Sequence, residues 1–274
     1  MDLSVLLPAS SAWLATVFLL SLRVGASFAM SPLLSGRAIP GPARVLLVLG
    51  LSAALSLLLP LQALPAGLLD NPGALYLAAF SELTLGASLG LGIQLAFAAI
   101  SFAGRLLDVQ VGFNMVQIFD PLSNVRASII ATAFDQLAVL LFFLLNIHHV
   151  LLRGLAWSLE RFPVGGQWPL SAALVPLLKQ VSAMLMLGFA LAAPIVFCIL
   201  LVELALGVMA HSLPQMNMLM IGLPIKIVVG LVALVLWAPE MGGMFSKIYE
   251  SIYATWNQVL AVASPAPRDM ARAC

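Results

Sequence analysis

The chain has 274 residues, 62% of them hydrophobic and only 8% charged, with a mean hydropathy of +1.11 and a formal net charge of +1. So little charge, with apolar stretches long enough to cross a bilayer, excludes a water-soluble enzyme of the cytosol. Near-neutral charge without a basic cluster argues against nucleic acid as a partner.

Six apolar segments lie near residues 11–30, 45–64, 75–103, 127–152, 174–206 and 216–237. All are expected to be helical, because only a helix satisfies its own backbone groups where water is scarce. The fold class is therefore all-α, a hydrophobic multi-helix protein of kinked helical hairpins. Only Asp2 precedes the first segment as a charge, so it lacks the basic region of a signal peptide and is expected to be retained. That segment carries Arg23 among Leu20, Leu22 and Val24, either facing protein or snorkelling to an interface.

The link 31–44, SPLLSGRAIPGPAR, holds Pro32, Pro40, Pro42, Arg37 and Arg44 and is a stiff, basic connection. Asp70-Asn-Pro-Gly73 turns the chain into the third segment. There Glu82 accompanies a ladder of small residues, Gly86, Ser88, Gly90, Gly92 and Gly104, that lets another helix approach closely. Glu82-Leu-Thr-Leu-Gly86 is echoed by Glu203-Leu-Ala-Leu-Gly207, although five positions in a Leu-rich chain also match by chance. The loop 104–126 has an apolar, aromatic middle: Val109, Val111, Phe113, Met115, Val116, Ile118 and Phe119. Such a loop folds into something concave or is covered by another subunit, as a plug or as a segment that merely packs. Asp120-Pro121 with Ser123 and Asn124 is expected to turn the chain and cap the next helix.

The fourth segment contains Asp135 and ends at Asn146-Ile-His-His149, a pair of histidines without metal spacing. Trp168 in the following link suits a headgroup boundary, and Pro194 is expected to kink or split the fifth segment. Lys226 lies in the sixth apolar run two residues after Pro224, and Glu203 near the end of the fifth. On a lone lipid-facing helix each would cost roughly 2.5 to 3.5 kcal/mol, so both are expected to face protein, water or each other. Met209, Met216, Met218 and Met220 cluster beside Pro214, suited to packing or to a shape-tolerant seal. From Pro239 to Leu260 the pattern, with Lys247, Tyr249, Tyr253 and Trp256, predicts an amphipathic helix on a surface. The tail, 261–274, is expected to be disordered. No catalytic, metal or nucleotide pattern stands in a workable context, so neither an enzyme nor a cofactor is expected. Glu82, Asp135 and Glu203 leave one small-molecule mechanism open, proton relay in a small-ion or solute secondary transporter that uses Glu82, Glu203 and Lys226 at broken helices.

Several stretches together resemble the FliR family of flagellar biosynthesis proteins and their injectisome counterparts. They are Ser35-Gly-Arg37 in the Pro-rich link, the run Glu82 to Gly112, Phe119-Asp-Pro-Leu-Ser123, Pro163-Val-Gly-Gly166 and, most specific, LALGVMAHSLPQMNMLMIGLPIKIVVG from Leu204. The resemblance covers about residues 10 to 260 and implies a non-enzymatic core subunit of the flagellar type III protein export gate. It implies one domain over 1–260, with N-terminal hairpins over 1–170 that include the plug loop 104–126, and a C-terminal hairpin and amphipathic helix over 171–260. The implied partners are FliP and FliQ in a hetero-oligomeric helical assembly, FlhB, FlhA, unfolded export substrates and membrane lipid. The implied place is the bacterial inner membrane at the flagellar basal body, with much of the assembly on the periplasmic side. Phe113, Asn114, Met115, Val116, Gln117, Ile118, Phe119 and Asp120 would plug the channel. Arg23, Glu82, Glu203 and Lys226 would be buried charges that fix hairpin packing.

Overall fold

A computed structural model of the chain describes residues 3–31, 40–57, 64–65, 67–113, 128–212 and 218–261. Seven helices are defined among them: α1 (Leu3–Met30), α2 (Gly41–Leu57), α3 (Pro72–Val111), α4 (Ile129–Leu144), α5 (Ile147–Arg161), α6 (Leu170–Ser212) and α7 (Met218–Ala261). Among the described residues, four helical stretches are long and apolar enough to cross a membrane, Ser11–Met30, Pro72–Val111, Ala173–His211 and Met220–Ala261, and α4 with α5, bent by 65° at their break, make a fifth if taken as one span.

Three boundaries differ from the periodicity of the sequence, each for a local reason. The fourth apolar segment is two helices, α4 and α5, because Asn146 between them takes the left-handed conformation at φ 57°. Asparagine tolerates that region better than most residues. The third segment runs on as helix to Val111, through the first part of the expected loop, and stops at Gly112, whose φ of +94° suits glycine alone. Finally, the expected surface helix after Pro239 is a continuation of α7, which runs through both Pro224 and Pro239. Its apolar stripe, Met241, Phe245, Ile248, Ile252, Trp256 and Val259, is core rather than surface. At 40, 43 and 44 residues, α3, α6 and α7 are each about 60 Å or more along the helix axis, about twice the hydrocarbon thickness of a bilayer. Pro194 lies within α6 without ending it.

The chain divides into two compact units whose boundaries fall within helices. The first takes its described residues from Met1–Gln94, Asn146–Gln180 and Ile252–Cys274. Its core gathers Leu19 and Leu20 of α1, Leu68, Ala78 of α3, Leu159 of α5 and Val164. Here the small-residue ladder sets the helix spacing. A Cβ on Gly90 would lie 2.5 Å from the Ser27 carbonyl oxygen, and one on Gly86 would collide with the Arg23 backbone. By contrast α2 buries Ser52 and Ser56 and turns Leu46 and Leu57 outward.

The second unit takes its described residues from Leu95–Leu145 and Val181–Ser251. Its centre is aromatic, with Phe142 at 5.6 Å from Phe97 and 6.2 Å from Tyr249 between ring centroids, and Phe134 at 6.3 Å from Phe245. The Tyr249 hydroxyl donates to the Ala138 carbonyl at 2.8 Å, so the ring carries no orphaned polar tip into the core. Replacing Phe142 with Ala removes the ring shared by this cluster. The expected loss is about 3 to 5 kcal/mol, read as a lowered unfolding midpoint of the detergent-purified protein.

Candidate functional site

Arg23 enters the core on α1 because its neighbours Leu19, Leu20 and Val24 are buried there, and it meets a carboxylate one helix away. Both Arg23 and Glu82 are 1% exposed. The pair is bidentate: Nε donates to Glu82 Oε2 at 2.5 Å and Nη2 to Oε1 at 2.9 Å. Two of the three remaining N–H donors are also used, one of Nη2 on the Phe162 carbonyl at 3.0 Å and one of Nη1 on Ser158 Oγ at 3.2 Å. Glu82 accepts a further bond from the Gly165 N–H at 3.1 Å. Gly165 sits at φ +81°, so glycine is needed for that N–H to be presented. Next to it Ser81 Oγ donates to the Gly166 carbonyl at 3.0 Å and accepts from the Trp168 N–H at 2.8 Å. One ion pair thus ties α1, α3, α5 and the Pro163-Val-Gly-Gly166 turn together, and the protein-facing alternative for Arg23 is the one adopted.

Lys226 donates to Glu203 Oε1, linking α7 to α6 in the second unit. These side chains keep 24% and 37% of their surface exposed, so the contact is a partly open one. Gly222 meets Leu206 of α6 nearby, its would-be Cβ at 3.2 Å from Cδ1. The echoed motifs diverge in use: Gly86 is in backbone contact with α1, whereas a Cβ on Gly207 would meet nothing within 4 Å. Asp135 is exposed and accepts a hydrogen bond from Ser101 Oγ.

Of the proposed plug residues, Phe113 is half-buried just past the end of α3. Asn114, Met115, Val116, Gln117, Ile118, Phe119 and Asp120 lie outside the described residues, as do Ser35, Arg37 and Pro214. The two ends of that stretch are held firmly. The most specific motif in the chain braces the first end: a Cβ on Gly230 would lie 2.7 Å from Val111 Cγ2, and one on Gly112 2.9 Å from Leu223 Cδ1.

The second end depends on a residue that the sequence reading passed over. Asp108, fully buried, accepts the N–H of Ile130 and of Ala131, each at 2.9 Å. Ser128, at the cap position of α4, makes no side-chain cap bond, so the orphan donors of α4 are served from α3. A carboxylate at a helix N-terminus also complements the helix dipole. The missed signal is a lone Asp among Leu107, Val109 and Val111, an apolar setting that demands donors.

Two substitutions test these links. Arg23→Met leaves Glu82 buried and unpaired and should cost about 3 to 5 kcal/mol of stability, whereas Arg23→Met with Glu82→Leu should recover most of it. Asp108→Ala strands two buried N–H groups at about 1 to 3 kcal/mol each. Adding Ser128→Asp should restore the cap of α4 but not the link to α3. Spin labels at the exposed positions Val109 and Ile129 should therefore stay broadly separated in the double variant.

The sequence profile for bacterial export proteins, family 1, matches residues 14–252. The flagellar biosynthetic protein FliR of Escherichia coli (strain K12) is 32% identical over 241 residues, covering 86% of this chain and 91% of that protein. FliR of Bacillus subtilis (strain 168) is 28% identical over 253 residues, 89% of this chain and 94% of its own. The Yop proteins translocation protein T of Yersinia pestis is 28% identical over 237 residues, 85% and 90% of the two chains. A profile that spans most of the sequence, and a relative matched along nearly its whole length, place this chain in the bacterial export proteins, family 1, the FliR family.

Proposed function

We propose that this chain is a non-enzymatic core subunit of the flagellar type III protein export gate and that residues 113–120 help to plug its channel. The observation that carries the reading is the match to 91% of a flagellar biosynthetic FliR at 32% identity, which includes both braced ends of that stretch. Apolar surface supports it. Of the most apolar window of α7 only 11% is buried within the chain. Leu204, Val208, Met220, Val228, Val235 and Leu236 of α6 and α7 are all exposed. A surface so apolar is covered by lipid or by other subunits. FliP-like and FliQ-like chains are the proposed cover, with FlhB-like and FlhA-like chains beside them, in the inner membrane at the basal body and partly on its periplasmic side. Residues 1–260 act as one functional domain in this reading.

The mechanism follows from the anchors. Val111 and Gly112 are seated against α7, and Asp108 pins the start of α4, so the intervening residues are displaced without either helix moving. In the closed channel Phe113, Met115, Ile118 and Phe119 exclude water and ions through apolar contact, which is non-directional and gives way to a passing unfolded chain. Arg23 with Glu82, and Glu203 with Lys226, hold the hairpin register.

The test uses a strain lacking its own FliR and complemented with this chain. The full chain should restore motility, co-purify with FliP-like and FliQ-like subunits and keep the membrane tight. Shortening 114–120 should keep the complex but make cells leak small ions. A complex that assembles and stays tight without those residues removes the plug role, and ion transport by the lone chain in vesicles would point to a secondary transporter instead.

A further inference from the structure

We infer that the first unit carries a binding pocket for the phosphate-bearing headgroup of an anionic phospholipid, formed where α5 meets the last turns of α7. The cavity, about 230 Å³, is lined by Arg153, Gly154 and Trp157 of α5 and by Tyr253, Trp256 and Asn257 of α7, with Val150 at its base. Arg153 and Trp157 lie four residues apart on one helix, and Tyr253 and Asn257 four apart on the other, so two matched helical faces supply the walls.

The floor is fixed. The Trp256 indole N–H donates to the Leu89 carbonyl at 3.2 Å, and its ring fills the place of a side chain on Gly154, where a Cβ would come 2.7 Å from Cε3. Tyr253 packs edge-on against Trp256, with centroids 6.4 Å apart. The wall is mostly aromatic and apolar, and its one cation is Arg153, which is exposed and pairs with no carboxylate among the described residues. On the same outer stripe of α5, Arg161 stands 6.0 Å from the Trp157 ring. The opposite face of α5, with Ile147, Val150, Leu151, Leu155 and Leu159, is buried.

An amphipathic helix that carries Arg153, Trp157 and Arg161 with Glu160 as its one carboxylate, and has Tyr253 of α7 alongside, is suited to the level of lipid headgroups, where amphipathic rings settle. The cavity is too small for an acyl chain but accommodates a phosphate and its alcohol. The Arg153 guanidinium donates to the phosphate oxygens, and the Asn257 amide to the headgroup hydroxyls. Phosphatidylglycerol combines a net anionic phosphate with headgroup hydroxyls, whereas the phosphate of phosphatidylcholine is neutralised by its own quaternary ammonium and its headgroup has no hydroxyl for Asn257.

The test is lipid retention by the full chain in nanodiscs of phosphatidylcholine with and without phosphatidylglycerol, read by native mass spectrometry. Phosphatidylglycerol should be retained in preference. Arg153→Gln should weaken its retention about fivefold, the factor of one basic residue near an anionic surface, and Arg153→Lys should keep most of it. Arg153 is exposed, so the fold should survive, and an unchanged unfolding midpoint verifies this. Equal retention of both lipids, no effect of Arg153→Gln, or displacement by soluble glycerol phosphate, which would mark a site for free anions, each overturns the assignment.

Discussion

The bidentate pair of Arg23 and Glu82 is the constraint from which the first unit is built. Each ion taken from water costs several kcal/mol even after relaxation, and that cost is offset only when every donor and lone pair finds a partner. The partners come from far apart in sequence: Ser158 on α5, the Phe162 carbonyl and the Gly165 N–H. Satisfying one pair therefore fixes α1 on α3, sets α5 beside them and shapes the turn that leads into α6. The glycines at 86 and 90 let α1 and α3 come into backbone contact beside the same pair.

The second unit is arranged around the end of α3 and the start of α4. Val111 and Gly112 are held by Gly230 and Leu223, while Asp108 reaches across to the first turn of α4. The run from Leu223 to Gly230 accordingly has a double use, as a brace for α3 and, through Lys226, as a link to Glu203 on α6. Whatever residues 114–127 do, their ends are stationed by buried contacts.

What the chain leaves uncovered is as informative as what it buries. Glu82 and Gly86 are consumed inside the chain, but Glu203 is half-buried and Gly207 has open space around it. The same five-residue pattern is spent once on an internal contact and once on a surface. Together with the apolar exteriors of α6 and α7, that asymmetry fits a chain completed by its neighbours, in keeping with its family.

Much was determined by the sequence alone. Low charge and long apolar runs required helices, because a backbone without water must bond to itself, and the glycine ladder required close helix contacts. The motifs around Pro163-Val-Gly-Gly166 and Leu223-Pro-Ile-Lys226 pointed to the family. Only the tertiary structure decided the pairing of the charges, because Arg23 and Glu82 are 59 residues apart and periodicity carries no information about partners at that distance. It also decided the break at Asn146, the continuity of α7 through two prolines and the role of Asp108. A left-handed residue, a helix that runs on through proline and a cap borrowed from another helix all depend on what packs alongside, and no local pattern of residues records that.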